Sequence, residues 1–157
     1  MTDSTRSELI KSHETLSLLM IRSRTVPMAA VIELLEQLHD ETTQHDSLEY
    51  WVTTVSSSDR IFERSLATAA LTSWMFHHQP MPLMNWQEVA IAAAFMDLGY
   101  FALTQPDRRQ PSATVDIPHI NQTHADVGAA LISSVTGIPS SVRQMIRHHH
   151  ERLDGTG

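Results

Sequence analysis

Apolar residues recur along most of the chain at the three- and four-residue intervals that place side chains on one face of an α-helix. The pattern is complete at Val31, Leu34, Leu35 and Leu38, which follow the i, i+3, i+4, i+7 rule. The other stripes are Leu9, Leu16 and Met20; Leu48, Trp51, Val52 and Val55; Phe62, Leu66, Ala70 and Trp74; and Val142, Met145, Ile146 and His149. This spacing predicts a chain dominated by amphipathic helices.

Helix-breaking and helix-capping residues divide these stripes into separate helices. Asn85, followed by Glu88, predicts the start of a helix that runs through Tyr100. Pro118 predicts the start of another, which runs to about Val135. Further boundaries are marked by Pro27, Ser56–Asp59, Pro80 with Pro82, the loop Thr104–Pro118, Gly137 and Pro139. We therefore predict an all-α fold, a bundle of about six or seven helices.

Composition agrees with one helical domain. A length of 157 residues suits a single domain, and 41% of the residues are apolar, enough for a core. The chain has five glycines, of which Gly99 is the first. So long a stretch without glycine is difficult to reconcile with an all-β fold, whose turns need glycine at short intervals.

The charge distribution excludes one class of partner. The formal net charge is -7 and Lys11 is the only lysine, so the surface does not suit a nucleic-acid polymer, which is bound through clustered Lys and Arg. Arg143, Arg147 and Arg152 are nevertheless close together near the C-terminus. They are candidates for binding a small anionic ligand; the alternative is that they are solvated helix-surface arginines.

Cysteine usage and hydropathy bear on location. The chain contains no cysteine, which excludes disulfides, thiolate ligands and cysteine nucleophiles. The first residues are polar, and the longest apolar run, 89–103, is interrupted by Asp97 and Gly99. A run of that length is shorter than the ~20 residues that a membrane span needs. We therefore expect a cytoplasmic protein without a membrane partner.

One carboxylate and three imidazoles stand out as candidate metal ligands. Asp97 interrupts an apolar run, where a carboxylate is costly unless it binds a metal or is paired with a helix end or a buried arginine. His124 shares a helix face with Gly128, which allows a backbone or a ligand to approach closely. His149 falls on the apolar stripe of the last helix and His150 lies about 100° further round. This set suits a divalent ion such as Zn, Fe or Mn; the alternative is four ordinary core or surface residues.

Three segments of the chain resemble motifs of the HD-GYP family. Residues 149–157, HHERLDGTG, resemble the signature HHExxDGxGYP and break off after the glycine of GYP. Residues 123–129 resemble the HPxxGA helix of that family, and residues 92–100 occupy the place of its AALLHDIGK motif. The resemblance covers roughly residues 59–157. It divides the chain into N-terminal helices, residues 1–58, that pack on or precede the domain, and a partial HD-GYP-like domain, residues 59–157.

The resemblance implies an HD-domain-like fold and a specific chemistry. Members of the family hydrolyse cyclic di-GMP at a site of two or three metal ions, in which a bridging aspartate holds two of them. By position, Asp97 corresponds to that bridging, catalytic carboxylate. His124, His149 and His150 correspond to the other ligands of one metal ion. The resemblance thus implies one divalent ion, Fe, Mn or Zn, and cyclic di-GMP or another nucleotide as the ligand.

The other half of the family's metal site departs from the pattern. Met96 stands where the family has the histidine of its HD pair, and Arg64 falls where an earlier histidine ligand belongs. An arginine stays protonated and cannot ligate a metal. Tyr100 replaces a lysine that contacts phosphate. These changes favour a degenerate domain that is catalytically impaired and serves as a regulatory or interaction module; the alternative is a cyclic di-GMP phosphodiesterase with an altered metal site.

The end of the resemblance within its signature bears on assembly. A family member continues beyond the position of Gly157 with further helices. Without them, apolar surface would be exposed, so we expect a protein partner or a homo-oligomer. A third hypothesis is a purely structural bundle in which the Val31–Leu38 stripe supports dimerisation; such a stripe more usually faces the domain's own core.

Overall fold

The computed structural model describes residues 3–22, 25–44, 47, 49, 61–79, 84–104 and 117–156. Its elements are α1 (Asp3–Ile21), β1 (Val26–Pro27), α2 (Met28–Thr43), α3 (Ile61–His78), α4 (Trp86–Phe95), α5 (Leu98–Thr104), α6 (Ile117–Leu131), β2 (Val135–Thr136) and α7 (Ser140–Arg147). The predicted all-α bundle is confirmed. The predictions for the stripe 48–55, the capping segment 56–59, the prolines at 80 and 82 and the loop 105–116 lie outside the described residues.

The apolar stripes meet in one core. All four residues of the α2 stripe are buried, with at most 2% of their surface exposed. Leu9 and Met20 of α1 belong to the same apolar cluster as Phe95 of α4 and Ile146 of α7. The N-terminal helices therefore share a core with the helices that carry the candidate ligands. Within the described residues, no helix combines the length and the apolar character of a membrane span.

The helix predicted from Asn85 through Tyr100 is in fact two helices. Asn85 caps the first as expected, because its Oδ1 accepts a hydrogen bond from the backbone N–H of Gln87. That helix, α4, ends at Phe95, and α5 begins at Leu98. The backbone N–H of Phe101 donates to the carbonyl of Asp97, so Asp97 stands at the beginning of α5. Aspartate favours this position over a helix interior, and the break places its side chain at a corner between α4 and α5.

The helix predicted to reach about Val135 ends earlier. After Leu131 a short 3-10 turn spans Ile132–Ser134, and Val135 then pairs in parallel with Val26. Gly137 follows with φ 80°, a left-handed conformation that glycine adopts without strain. The two-residue ladder connects the α1–α2 junction to the segment that leads into α7. The low helix propensity of residues 133–136 and this long-range pairing both oppose continuation of the helix.

Candidate metal centre

Two glycines bring α5 and α6 together. A Cβ atom at Gly99 would collide with the backbone carbonyl of His124. A Cβ atom at Gly128 would lie 3.2 Å from the backbone nitrogen of Gly99. The prediction that Gly128 permits a close approach is confirmed, and the approaching group is the backbone of α5. The crossing buries His124 to 3% exposure, and the ring of Tyr100 meets it edge-on at 5.8 Å between centroids.

The end of α7 positions the other two histidines. The helix ends at Arg147, so His149 and His150 lie in the turn that follows and both imidazoles turn toward His124. Ile146, fully buried, anchors this end of the helix in the core. The Nδ1–H of His149 donates to the carbonyl of Ile146 at 2.8 Å. Because a carbonyl only accepts, this bond leaves the lone pair of the neutral ring on Nε2, the nitrogen that faces His124.

The three imidazoles present their Nε2 atoms to one another, and we call them the histidine cluster: His124, His149 and His150. Nε2 of His124 lies 3.3 Å from Nε2 of His149 and 3.0 Å from Nε2 of His150. Nitrogens that share one metal ion at about 2.1 Å are separated by about 3.0–3.4 Å, so these distances fit a common ion. Hydrogen bonding satisfies the arrangement poorly, because the single Nε2 of His124 faces two partners.

The electrostatics of the cluster favour the neutral form of His150. Burial, followed by repulsion from His149 and His124, lowers the pKa of His150 below its ordinary value, while Asp97 acts in the opposite direction. A metal ion requires neutral histidine ligands, so the surroundings promote the protonation state that ligation needs. By contrast, the neighbouring His148 is exposed and contacts Oε1 of Gln144 at 3.1 Å.

Asp97 lies beside the histidine cluster and not within it. Three histidines make up the group whose ligand atoms lie within 4.8 Å of one another, and Asp97 is outside that distance. Its side chain is 13% exposed, and Oδ2 lies 3.6 Å from Nη2 of Arg64. The Oγ of Ser65 donates to the same Oδ2 at 3.4 Å. The arginine that the sequence analysis allowed as a partner of Asp97 is thus Arg64, although it is half exposed and not buried. The sequence analysis did not predict the contact with Ser65, because nothing in a helical stripe distinguishes this serine from other small residues.

Two of the three arginines proposed as ligand-binding residues line one surface depression. Arg143 and Arg147 line a surface depression of about 460 Å³ between α6 and α7. Nε of Arg147 lies 2.7 Å from Oδ1 of Asp126, so part of the positive charge there is already neutralised. Arg152 is exposed and does not line this depression. Anion binding by these residues stays a prediction.

A comparison with curated proteins identifies a distant relative. The chain is 23% identical over 137 residues to the cyclic di-GMP phosphodiesterase PA4108 of Pseudomonas aeruginosa. The match covers 85% of this chain, more than residues 59–157 can supply, so the similarity extends into the N-terminal helices. It covers 33% of the relative, so the chain spans about a third of that protein's length. No protein-family model matches the chain, and no solved structure matches it significantly.

Proposed function

We propose that this chain is a degenerate HD-GYP-type domain that acts in cyclic di-GMP signalling as a regulatory or interaction module. The observation that carries the proposal is the histidine cluster, whose three Nε2 atoms have the spacing of ligands to a single ion. The similarity to a cyclic di-GMP phosphodiesterase supports the choice of nucleotide. The motif resemblance of residues 123–129 and 149–157 supports the choice of family.

His124, His149 and His150 would hold one divalent ion, Fe, Mn or Zn. Asp97 lies outside the ligand distance of this group and would have to move toward the ion to become a further ligand. A bound ion supplies Lewis acidity toward a phosphoryl oxygen. The chain's own contribution is to keep the ligands in place. The carbonyl of Ile146 orients His149, and the crossing at Gly99 and Gly128 fixes His124.

Impaired catalysis follows from what surrounds Asp97. In two-metal hydrolysis one ion serves the attacking oxygen and the other the leaving oxygen. Within the described residues, no second group of three histidines or carboxylates stands close enough to hold another ion. Asp97 is in contact with the guanidinium of Arg64, which cannot bind a metal ion. Loss of one ion should cost on the order of a thousandfold in rate.

The alternative is a phosphodiesterase with an altered, mononuclear site. The observation in its favour is that Asp97 remains close enough to His150 to influence its pKa. In such a site one ion and the Arg64 guanidinium would together stabilise the negative charge that two ions stabilise in the two-metal mechanism, and Asp97 would remain the carboxylate. The two hypotheses differ in turnover, whereas both require the metal.

The decisive experiment measures metal content and hydrolysis in parallel. We expect about one Fe, Mn or Zn per chain in protein purified without chelators or an affinity tag, and none in His124→Ala/His149→Ala. His148→Ala is the matched control, because His148 is next to the cluster and faces solvent. Absence of metal from the wild-type protein would overturn the proposal. Turnover of cyclic di-GMP at the rate of intact relatives, abolished in His149→Ala, would establish the alternative.

The output of such a module would be contact with a protein partner or a second copy of the chain. Light scattering tests the second copy directly. A dimer is the expected result, and a monomer at all concentrations would leave a different protein as the partner.

A further inference from the structure

Asp97 contacts Arg64 and lies beside the histidine cluster. Its Oδ2 lies 3.6 Å from Nη2 of Arg64. Two residues further along the chain, Gly99 packs against the backbone of His124, which brings Asp97 close to the cluster. Charge-assisted hydrogen bonds between nitrogen and oxygen are about 2.7–2.9 Å long, so the contact with Arg64 is a loose ion pair. The short hydroxyl of Ser65 supplies a second weak contact, at 3.4 Å. The carboxylate of Asp97 is therefore bound only weakly by Arg64 and Ser65.

Arg64 is equally available for another partner. Its side chain is 48% exposed, and a guanidinium carries five N–H donors in a planar fork. The adjacent acidic residue, Glu63, lies 3.7 Å from Arg6 of α1. A guanidinium that is partly solvated and loosely paired binds a phosphate group well, because the fork matches two of its oxygens.

We propose that Arg64 is an anion-binding residue that exchanges partners, so that metal binding and phosphodiester binding strengthen each other. The inference rests on the proposed function of the histidine cluster. When the cluster is empty, Arg64 neutralises Asp97. When the cluster carries an ion, Asp97 gains a second positive partner and Arg64 turns to the phosphodiester. A phosphodiester on Arg64 in turn leaves Asp97 to the cluster. Thermodynamic linkage makes the effect reciprocal.

A static ion pair would behave differently. If Arg64 stayed on Asp97 permanently, a phosphodiester would not change metal affinity beyond its effect on ionic strength. Removal of the guanidinium would then strengthen metal binding by freeing Asp97, to the same extent with and without the phosphodiester. Exchange of partners instead predicts that the phosphodiester raises metal affinity in the wild-type chain and no longer does so once the Arg64 guanidinium is removed.

The test is Mn²⁺ binding, followed by the electron paramagnetic resonance signal of the free ion. Titrations are made with diethyl phosphate, a monoanionic phosphodiester, and with sodium chloride at equal ionic strength. For the wild-type chain we expect diethyl phosphate to tighten Mn²⁺ binding by about fivefold, the lower range of allosteric coupling. Arg64→Met should abolish this tightening, and Arg64→Lys should retain part of it.

Arg6→Met is the control, because it removes one positive charge close to Arg64 from a residue that does not contact Asp97. It should couple as the wild type does. Equal coupling in the wild type and Arg64→Met, or no coupling in a wild type that binds Mn²⁺, would overturn the exchange while leaving the metal centre intact. A wild type that binds no Mn²⁺ in chloride would overturn the metal centre itself.

Discussion

Two kinds of histidine lie near the corner between α4 and α5, and they differ in what surrounds their ring nitrogens. His13 of α1 is 2% exposed, and its Nε2–H donates to the carbonyl of Ala94. Its Nδ1 has no partner among the described residues, and its ring stacks on Phe95 at 4.9 Å. Burial lowers the pKa of His13 to about 4, partly offset by the bond to Ala94. It is a neutral core residue.

The histidine cluster is more exposed to solvent than His13, and its Nε2 atoms face one another. Its members range from buried His124 to exposed His150, and their Nε2 atoms converge on one point. The comparison shows that burial alone does not distinguish a candidate ligand from a core histidine. The cluster is distinguished by the convergence of its Nε2 atoms and, for His149, by the bond from Nδ1–H to the carbonyl of Ile146, which leaves the lone pair on Nε2. Mutations of the two kinds of histidine should therefore have different effects: loss of metal affinity in the histidine cluster, and a changed pH dependence of stability at His13.

The largest effect is expected at His149. His149→Ala removes one of the three proposed nitrogen ligands, so metal affinity should fall by at least about 100-fold, more than the usual loss of an outer-shell partner. Because this side chain is only half buried, stability without metal should change by less than about 1 kcal/mol. Isothermal titration with Mn²⁺ or Zn²⁺ checks the first value and urea unfolding the second. Unchanged affinity would show that His149 is not a ligand.

The pH dependence of stability should reveal His13. Its folded pKa of about 4 lies below the ordinary value of 6.5, so between these pH values the unfolded chain binds a proton that the folded chain does not. The stabilisation is therefore complete above pH 6.5 and is lost as the pH falls toward 4, by on the order of 3 kcal/mol. Urea unfolding at several pH values measures it. His13→Leu should flatten this part of the curve; a curve as steep as the wild type's would exclude His13 as the cause.

A substitution at the helix crossing should affect stability and metal binding at once. Gly99→Ala places a methyl group against the backbone of His124, so α5 and α6 must separate. Overpacking of this kind costs about 1–3 kcal/mol, and the displaced His124 should also weaken metal binding. Leu103→Ala is the control on the same helix, because Leu103 is exposed. Wild-type stability together with wild-type metal affinity in Gly99→Ala would contradict the crossing.

The smallest effect is expected at Ser73, which lies outside the histidine cluster and does not contact His13. Nδ1 of His39 and Oγ of buried Ser73 are 2.7 Å apart, and the His39 ring also packs on Trp86. Ser73→Ala leaves His39 without that partner and should cost about 1 kcal/mol, the ordinary value of such a bond. Metal affinity should stay within twofold of the wild type. A large loss of metal would extend the centre into α2 and α3.

The sequence predicted the core of this fold better than its corners. The Val31–Leu38 stripe is buried as the helical period requires. The break at Met96–Asp97 was missed, because the surrounding alanines continue a helical pattern and the break coincides with a tertiary contact between Gly99 and Gly128. The strand at Val135 was missed for a similar reason: its partner, Val26, is remote in sequence.

For the candidate site, the sequence proposed the residues and left their geometry open. Motif resemblance selected His124, His149 and His150, and the structure brings these three together. It did not reveal that Asp97 would be paired with Arg64, since both a metal and an arginine satisfy a carboxylate. His13 could have been found, because it lies four residues after Leu9 and three before Leu16, on the same buried stripe.

The two-rung ladder between Val26 and Val135 has a consequence for folding kinetics. It closes a very long loop of chain, and the entropy of that closure must be lost before the contact returns any stabilisation. Local helices such as α2 can form early, whereas the segment leading into α7 is placed only when this closure occurs. The three imidazoles should therefore converge in the last kinetic phase of refolding. A metal ion would then capture the finished fold without guiding the chain toward it.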